Sequence, residues 1–531
     1  MTSETPLPGG DAPRGGKFCG LGTFPAEGRT AVRMALAAAA GGAQALSFAP
    51  FDLPLLQIAA LATIFGLALR ARSVRGAALL GGIFGMGWFG VGISWIYISL
   101  HEYGGLWPWL AAAATAALAA YLALYPALAM AAAVRISAPG TATRAVALAA
   151  AWTLADWLRG IVLTGFPWLA TGYAQADGPL AGFAPLLGVY GVGAGAALLA
   201  VLAAWALDNH CAPRRWLPAL LGMAALLAGG AALHAIVWSH PYGPPLRVRL
   251  VQGNVSQDIK FADTGLDTAL ARYLPELTVN PKDPRRPKLL VFPESAFPVP
   301  LNELPDEVVA AIDDPVRRAG AALIFGIFVV EPENRYFNSA LGVPADGVTA
   351  PQRYSKRHLV PFGEFIPYGF HWFVDMLHIP IGDQEHGGRY QEPMQLAGQN
   401  IAVNICFEDL FGSLIRDAWH DPKRQPTMLL NLSNLAWFDA SSALPQDLQI
   451  ARMRAIETAR PLLHDTNTGV TAIIDARGGV QSRLPIRQEG ALEGSVQGMT
   501  GETPFVRFGN TPILLASAFV LVMSAARRRK T

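Results

Sequence analysis

The chain has 531 residues, of which 52% are hydrophobic and 15% charged, and its net charge is +2. That length exceeds one ordinary domain, and so small a net charge argues against the global basic field of a nucleic-acid binder. The three cysteines, Cys19, Cys211 and Cys406, stand far apart without metal-ligand spacing, which argues against a disulfide framework.

Residues 1–28 are rich in Gly and Pro and are expected to form a disordered cytoplasmic tail, Cys19 included, since no apolar signal region precedes it. Apolar stretches follow at roughly 30–49, 53–69, 76–99, 106–134, 145–163, 180–207 and 216–238. A helix needs about 20 residues to cross a bilayer, so 29–240 reads as seven transmembrane helices. An eighth is expected at 511–526, followed by the basic tail 527–531. Lys and Arg fall in alternate loops: Arg70, Arg72 and Arg75, then Arg135 and Arg144, then Arg214 and Arg215. The loops between them carry neither. By the positive-inside rule both termini are cytoplasmic and the domain at 246–503 lies outside. Within the spans, the Gly81/Gly85 and Gly191/Gly195 spacings permit close helix packing. Asp156 and Arg159, three apart on one helix face, can pair near lipid, either as a structural clasp or as a functional feature.

The extramembrane portion alternates apolar strands with helix-like stretches. Strands are predicted at 247–252, 288–292, 322–329, 401–405, 428–432 and 470–474, and helices at 306–319, 412–420 and 446–458. That alternation predicts a layered α/β domain with polar residues at strand ends, where such folds place their sites. Three candidates stand there. Glu294 follows an apolar strand, where partial burial suits a carboxylate to act as a base. Lys356 offers an ammonium that favours a thiolate and stabilises an oxyanion. Cys406 ends the strand 401–405 and is the candidate nucleophile. Each has an ordinary alternative: a surface Glu, a solvated Lys, a buried inert Cys.

Pro293-Glu294, the run Lys356-Arg357-His358-Leu359-Val360-Pro361-Phe362-Gly363-Glu364-Phe365-Ile366-Pro367, and Cys406-Phe407-Glu408 occur in the order of the Glu-Lys-Cys triad of the nitrilase superfamily. With seven spans before the domain and one after, the chain resembles the membrane-embedded apolipoprotein N-acyltransferase branch. Further matching stretches are Trp157-Leu158-Arg159-Gly160, Ala436-Trp437-Phe438 and Thr466-Asn467-Thr468-Gly469. The resemblance implies an extracytoplasmic αββα sandwich on a multi-span helical membrane domain, in the bacterial inner membrane, with its active site facing the periplasm. Glu294 would be general base, Lys356 oxyanion stabiliser and Cys406 nucleophile, with Glu364 and Glu408 as supporting carboxylates. Phe261, Phe407 and Trp437 would contact substrate. The implied reaction needs neither metal nor cofactor. Its donor would be a phospholipid, typically phosphatidylethanolamine, and its acceptor the amino terminus of a diacylglyceryl-cysteine apolipoprotein, joined through a Cys406 thioester in the last step of lipoprotein maturation.

The sequence departs from the family pattern at Phe407, where Tyr is common, and at Phe261, where Trp is. Asp156 replaces a usual Glu, Leu435 an acidic residue and Asp439 a Gly. These changes bear on pocket shape and leave the triad intact. Two other readings stay open at this point: a membrane-anchored nitrilase-type amidohydrolase using water, and a transporter with an external binding domain. The segment 362–389, with Trp372, Phe373 and His378, suits either a mobile amphipathic arm or a packed loop.

Overall fold

A computed structural model of the chain describes residues 26–260, 262–369 and 384–530. The tail up to residue 25, Phe261 and the centre of the predicted arm, including Trp372, Phe373 and His378, therefore lie outside the described residues.

Eight long helices occupy the apolar stretches: Ala26–Ala45, Pro54–Leu69, Val74–Gly92, Pro108–Ile136, Ala142–Arg159, Ala184–Asp208, Pro213–His234 and Thr511–Lys530. The first begins at Ala26, inside the tail assigned to 1–28. Among the described residues five helices are long and apolar enough to cross a membrane: Val74–Gly92, Pro108–Ile136, Pro179–Asp208, Pro213–His234 and Thr511–Arg529. Pro54–Leu69 is apolar but short, while Ala142–Arg159 holds Arg144, Asp156 and Arg159 and is less apolar for that reason.

Close approach of backbones holds the bundle. A Cβ at Gly81 would meet the Pro126 carbonyl oxygen at 2.6 Å, and one at Gly85 the Cα of Ala123 at 2.7 Å. Gly191 works differently: its added Cβ would strike Leu187 of its own helix at 2.1 Å, just past the kink at Gly188. Arg144, fully buried, donates to the carbonyls of Val134 and Ala68, and Arg528 reaches the same Val134 oxygen at 3.2 Å. The basic loops and the basic C-terminal end thus gather at one end of the bundle.

At the other end sits a sandwich of two six-stranded sheets. One runs Gly490–Val496, Leu246–Gln252, Leu289–Pro300, Ala322–Glu331, Arg335–Val343, Gln352–Ser355 in spatial order. The second runs Val480–Arg483, Ala472–Ile474, Leu462–Thr466, Met428–Ser433, Gln399–Ile405, Met394–Leu396. Alternate side chains of both sheets, among them Val248, Leu250, Val291, Ile324, Val403 and Leu430, fill the layer between them. The outer face of the first sheet is covered by Gly265–Tyr273 and Asp306–Ala319. The outer face of the second is covered by Gly412–Arg416 and Ala443–Thr458. The architecture is αββα.

One strand differs from its prediction in a way that matters. The strand predicted to stop at residue 292 continues through Pro293 to Pro300, and its parallel register with Ala322–Glu331 slips between Phe292 and Phe297. Proline lacks the N–H a regular ladder needs, so it is tolerated where the strand bulges. The bulge carries Glu294 and Ser295, the latter at φ +49°.

Candidate active site

The strand Gln399–Ile405 delivers the candidate nucleophile Cys406 into a turn at φ +53°, a left-handed conformation that costs a non-glycine residue energy. The surroundings enforce it. Asn431 Nδ2 donates to the Cys406 carbonyl at 3.1 Å and to Asn404 Oδ1 at 2.6 Å, and Ser433 Oγ donates to Asn431 Oδ1 at 2.6 Å. The thiol is half-buried.

Lys356 lies beyond the end of the edge strand Gln352–Ser355 and is 1% exposed. Its Nζ donates to Glu364 Oε1 at 2.7 Å and to Glu294 Oε1 at 3.3 Å. Asn338 Nδ2 bridges the same two carboxylates, at 2.8 Å to Glu294 and 3.3 Å to Glu364. The other Glu294 oxygen accepts the backbone N–H of Asn434 at 2.8 Å. Each buried charge therefore has partners, the condition under which burial is tolerated. Burial alone lowers the Lys356 pKa, but Glu294 and Glu364 together outweigh it and hold the ammonium charged. For Cys406, burial and then Glu294 push the thiol well up, while Lys356 pulls it down. Glu294 and Lys356 thus act on the thiol in opposite senses.

Glu408 does not touch Lys356. Its Oε1 accepts from the backbone of Arg357 (2.7 Å) and His358 (3.1 Å), and its Oε2 from Ile405 N (2.7 Å) and Tyr354 Oη (2.8 Å). One carboxylate thus locks the Lys356 segment to the Cys406 turn. Glu364 also fixes its own loop, accepting from Val360 N at 2.8 Å.

The family model described as the Apolipoprotein N-acyltransferase N-terminal domain matches residues 40–202, and the Carbon-nitrogen hydrolase model matches 274–505. An apolipoprotein N-acyltransferase of Ralstonia nicotianae is 48% identical over 93% of this chain and 93% of its own. The chain belongs to the apolipoprotein N-acyltransferase family. Relatives of the same name from Bordetella bronchiseptica and Nitrosomonas europaea are 46% and 41% identical, over 93% and 94% of this chain and 97% and 99% of theirs.

In this member of the family the catalytic and helical domains share a core. Phe407, Leu410 and Phe411, next to the nucleophile, join one apolar cluster with Phe89, Trp95 and Trp168 of the helical domain, and Cys406 packs against it. Phe407 faces Phe166 at 6.4 Å between ring centroids and Phe411 at 5.3 Å. Trp437, the third substrate-contact candidate, is 39% exposed and meets Tyr103 edge-on at 5.9 Å. Asp156 and Arg159 form a clasp: Arg159 bonds Asp156 at 2.6 Å and the carbonyls of Phe166 and Trp168, and Asp156 accepts from Thr171 N. They pin the loop that carries Phe166 under Phe407.

Sequence reasoning missed three polar residues of the site. Asn338 is hidden in the strand Arg335–Val343, and its signal was a buried amide among apolar neighbours. Asn434 follows the strand Met428–Ser433 and contributes through its backbone N–H, which leaves no side-chain signal in the sequence. Lys260, 3% exposed, donates to the Glu294 carbonyl at 3.0 Å; burial lowers its pKa to about 8 against the opposing pull of Glu294 and Cys406. Its neighbour Asn467 holds that loop, bonding Val255 N–H and C=O together and Asn434 Oδ1.

Proposed function

We propose that this chain transfers an acyl chain from a membrane phospholipid, typically phosphatidylethanolamine, to the α-amine of a diacylglyceryl-cysteine at a lipoprotein amino terminus. Glu294 takes the Cys406 proton as sulfur attacks the donor ester, and Lys356 balances the oxyanion. The collapsing intermediate releases a lysophospholipid, which takes the proton from Glu294. The acceptor amine then attacks the thioester, Glu294 removes its proton, and the thiol returns. Splitting one hard transfer into two easier ones is the use of a covalent intermediate.

The observation that carries this reading is the shared core at Cys406. A soluble amide needs no route to the nucleophile past Phe166, Phe407 and Phe411, whereas an acyl chain gains about 0.8 kcal/mol for each CH₂ it buries. This favours the transferase over a membrane-anchored amidohydrolase. We infer an inner-membrane protein with both termini cytoplasmic and the site periplasmic. Supporting that orientation, the basic loops gather at the end of the bundle away from the sandwich, and exposed Trp107, Trp109 in the first turn of Pro108–Ile136 and Leu163 lie on the sandwich side, as in an aromatic interfacial belt.

The test is the mass of the Cys406 peptide after incubating detergent-purified protein with phosphatidylethanolamine and no acceptor. The expected result is a gain of one fatty acyl group, absent in Cys406→Ser, and its discharge by a diacylglyceryl peptide. A folded protein with intact phospholipid and no adduct refutes the transfer.

A further inference from the structure

Behind the nucleophile turn lies a second polar cluster that the acyl transfer does not use. Asp409 comes from the turn Cys406–Leu410, Asp447 from the helix Ala443–Thr458 and His464 from the strand Leu462–Thr466. One ligand atom of each lies within 4.8 Å of the other two. Their exposures are 0%, 2% and 0%. Buried polar atoms are almost always hydrogen-bonded, yet among the described residues neither oxygen of Asp409, neither ring nitrogen of His464, nor Oδ2 of Asp447 has a hydrogen-bond partner.

We propose that Asp409, Asp447 and His464 hold a divalent metal ion of the zinc type. Three observations converge on it. His464 Nε2 is 3.0 Å from Asp447 Oδ2 without forming a hydrogen bond. That distance makes an ion pair when the imidazole is protonated, and it is also a spacing that two ligands of one metal ion can take. Ligands about 2.0–2.1 Å from a tetrahedral zinc sit about 3.3 Å apart. Charge agrees: two carboxylates and a neutral imidazole balance a dipositive ion. Among the described residues no arginine hydrogen bond reaches Asp409, His464 or Asp447 Oδ2: Arg454 donates from Nη2 to Glu457 at 3.1 Å and to the Tyr173 hydroxyl at 3.4 Å, and its Nε and Nη1 have no partner. The donor set selects the metal class, since imidazole with few carboxylates suits zinc, whereas magnesium and calcium ask for six or more oxygens.

The ion is structural. It touches no reacting atom, and it ties the turn three residues past Cys406 to the helix that docks on the membrane domain. The reaction itself still runs on Glu294, Lys356 and Cys406.

The experiment uses full-length protein purified in detergent from cells grown with added zinc, desalted without chelator and analysed by inductively coupled plasma mass spectrometry. About one zinc per chain is expected, falling to below about a tenth in Asp409→Asn and in His464→Gln. Incubation with 1,10-phenanthroline should lower the wild-type Tm and zinc should restore it. Should the variants fail to fold, wild-type stoichiometry and the chelator response still decide. Less than about a tenth of an equivalent in the wild type, with a Tm unmoved by zinc or chelator, overturns the proposal and leaves the three groups sharing protons. Zinc retained undiminished in both variants also overturns it.

Discussion

The bulge that carries Glu294 depends on a missing side chain across the ladder, and this gives a sharp prediction. At Gly326 an added Cβ would lie 2.6 Å from Glu294 Cα and from Ser295 N, and 2.7 Å from the Pro293 oxygen. Ordinary contact begins at 3.4 Å, so Gly326→Ala must part the strands by about 0.8 Å. The atoms that resist are backbone, and Ser295 already sits at φ +49°, so Glu294 is the group that moves. Overpacking of this kind costs about 1–3 kcal/mol, or about 2–10 °C in Tm for a domain this size. A catalytic base misplaced by close to 1 Å costs about 100-fold in rate. Single-turnover acylation of Cys406, followed by peptide mass, should therefore slow about 100-fold in a protein that still unfolds cooperatively. Gly90→Ala, where nothing lies within 4 Å of the added Cβ, is the control and should acylate normally. A Gly326→Ala protein that acylates at the wild-type rate would show that Glu294 is not held by this gap.

Three further outcomes follow from the same site. Acylation should fall as pH rises through about 8, because Lys260 then loses the positive charge that lies close to Glu294 and Cys406. Lys260→Arg stays charged and should move that limb upward, and an unchanged limb would remove Lys260 from the account. Asn338→Leu strips two bonds from the Glu294–Glu364 pair, each to a charged group and worth about 1.5–3 kcal/mol. It should lower kcat at least 10-fold, by the ~1.4 kcal/mol-per-decade rule, with KM little changed, and a raised KM at intact kcat would contradict it. Asp156→Asn leaves Arg159 buried with its charge unbalanced, a loss of about 3–5 kcal/mol. It should lower Tm while the folded fraction still acylates Cys406, and a selective loss of acylation at unchanged Tm would make the clasp functional.

What the chain declares locally and what it hides divide along a physical line. Apolar stretches such as those at Pro108–Ile136 and Met428–Ser433 are legible because burial on all sides or on one face leaves a run in the sequence. Arg335–Val343 (burial falling on Phe337 to Ala340 and again on Gly342) has no such run, and Leu289–Pro300 hides its second half behind Pro293. Glu294, Lys356 and Cys406 each stand out at a strand end or in a loop, but only the family motif joins them, since no spacing brings residues 294, 356 and 406 together. Asn338, Lys260 and the pairing of Asp447 with His464 were not legible at all. Their meaning arises when strands and helices distant in sequence meet.

The helix Ala443–Thr458 shows why the two domains form one machine. One flank, through Leu448, Ala451 and Ala455, packs under the second sheet. The other flank is spent on the helical domain. Gln446 Oε1 accepts from the indoles of Trp95 (3.3 Å) and Trp168 (2.7 Å). Gln449 bonds Asp52 and Ala49 N, Arg452 pairs with Asp177, and Glu457 accepts from Val189 N. A flexible tether would leave these groups to water. Gln446, Gln449 and Glu457 are buried, so each must find its partner across the domain boundary, which fixes the orientation of the sandwich on the bundle. The Cys406 turn is thereby held against Phe166 and Trp168, with its thiol at the meeting of a polar sheet end and an apolar floor. A soluble relative of the sandwich could keep the triad. Only the docked arrangement gives the thiol a surface that an acyl chain can follow.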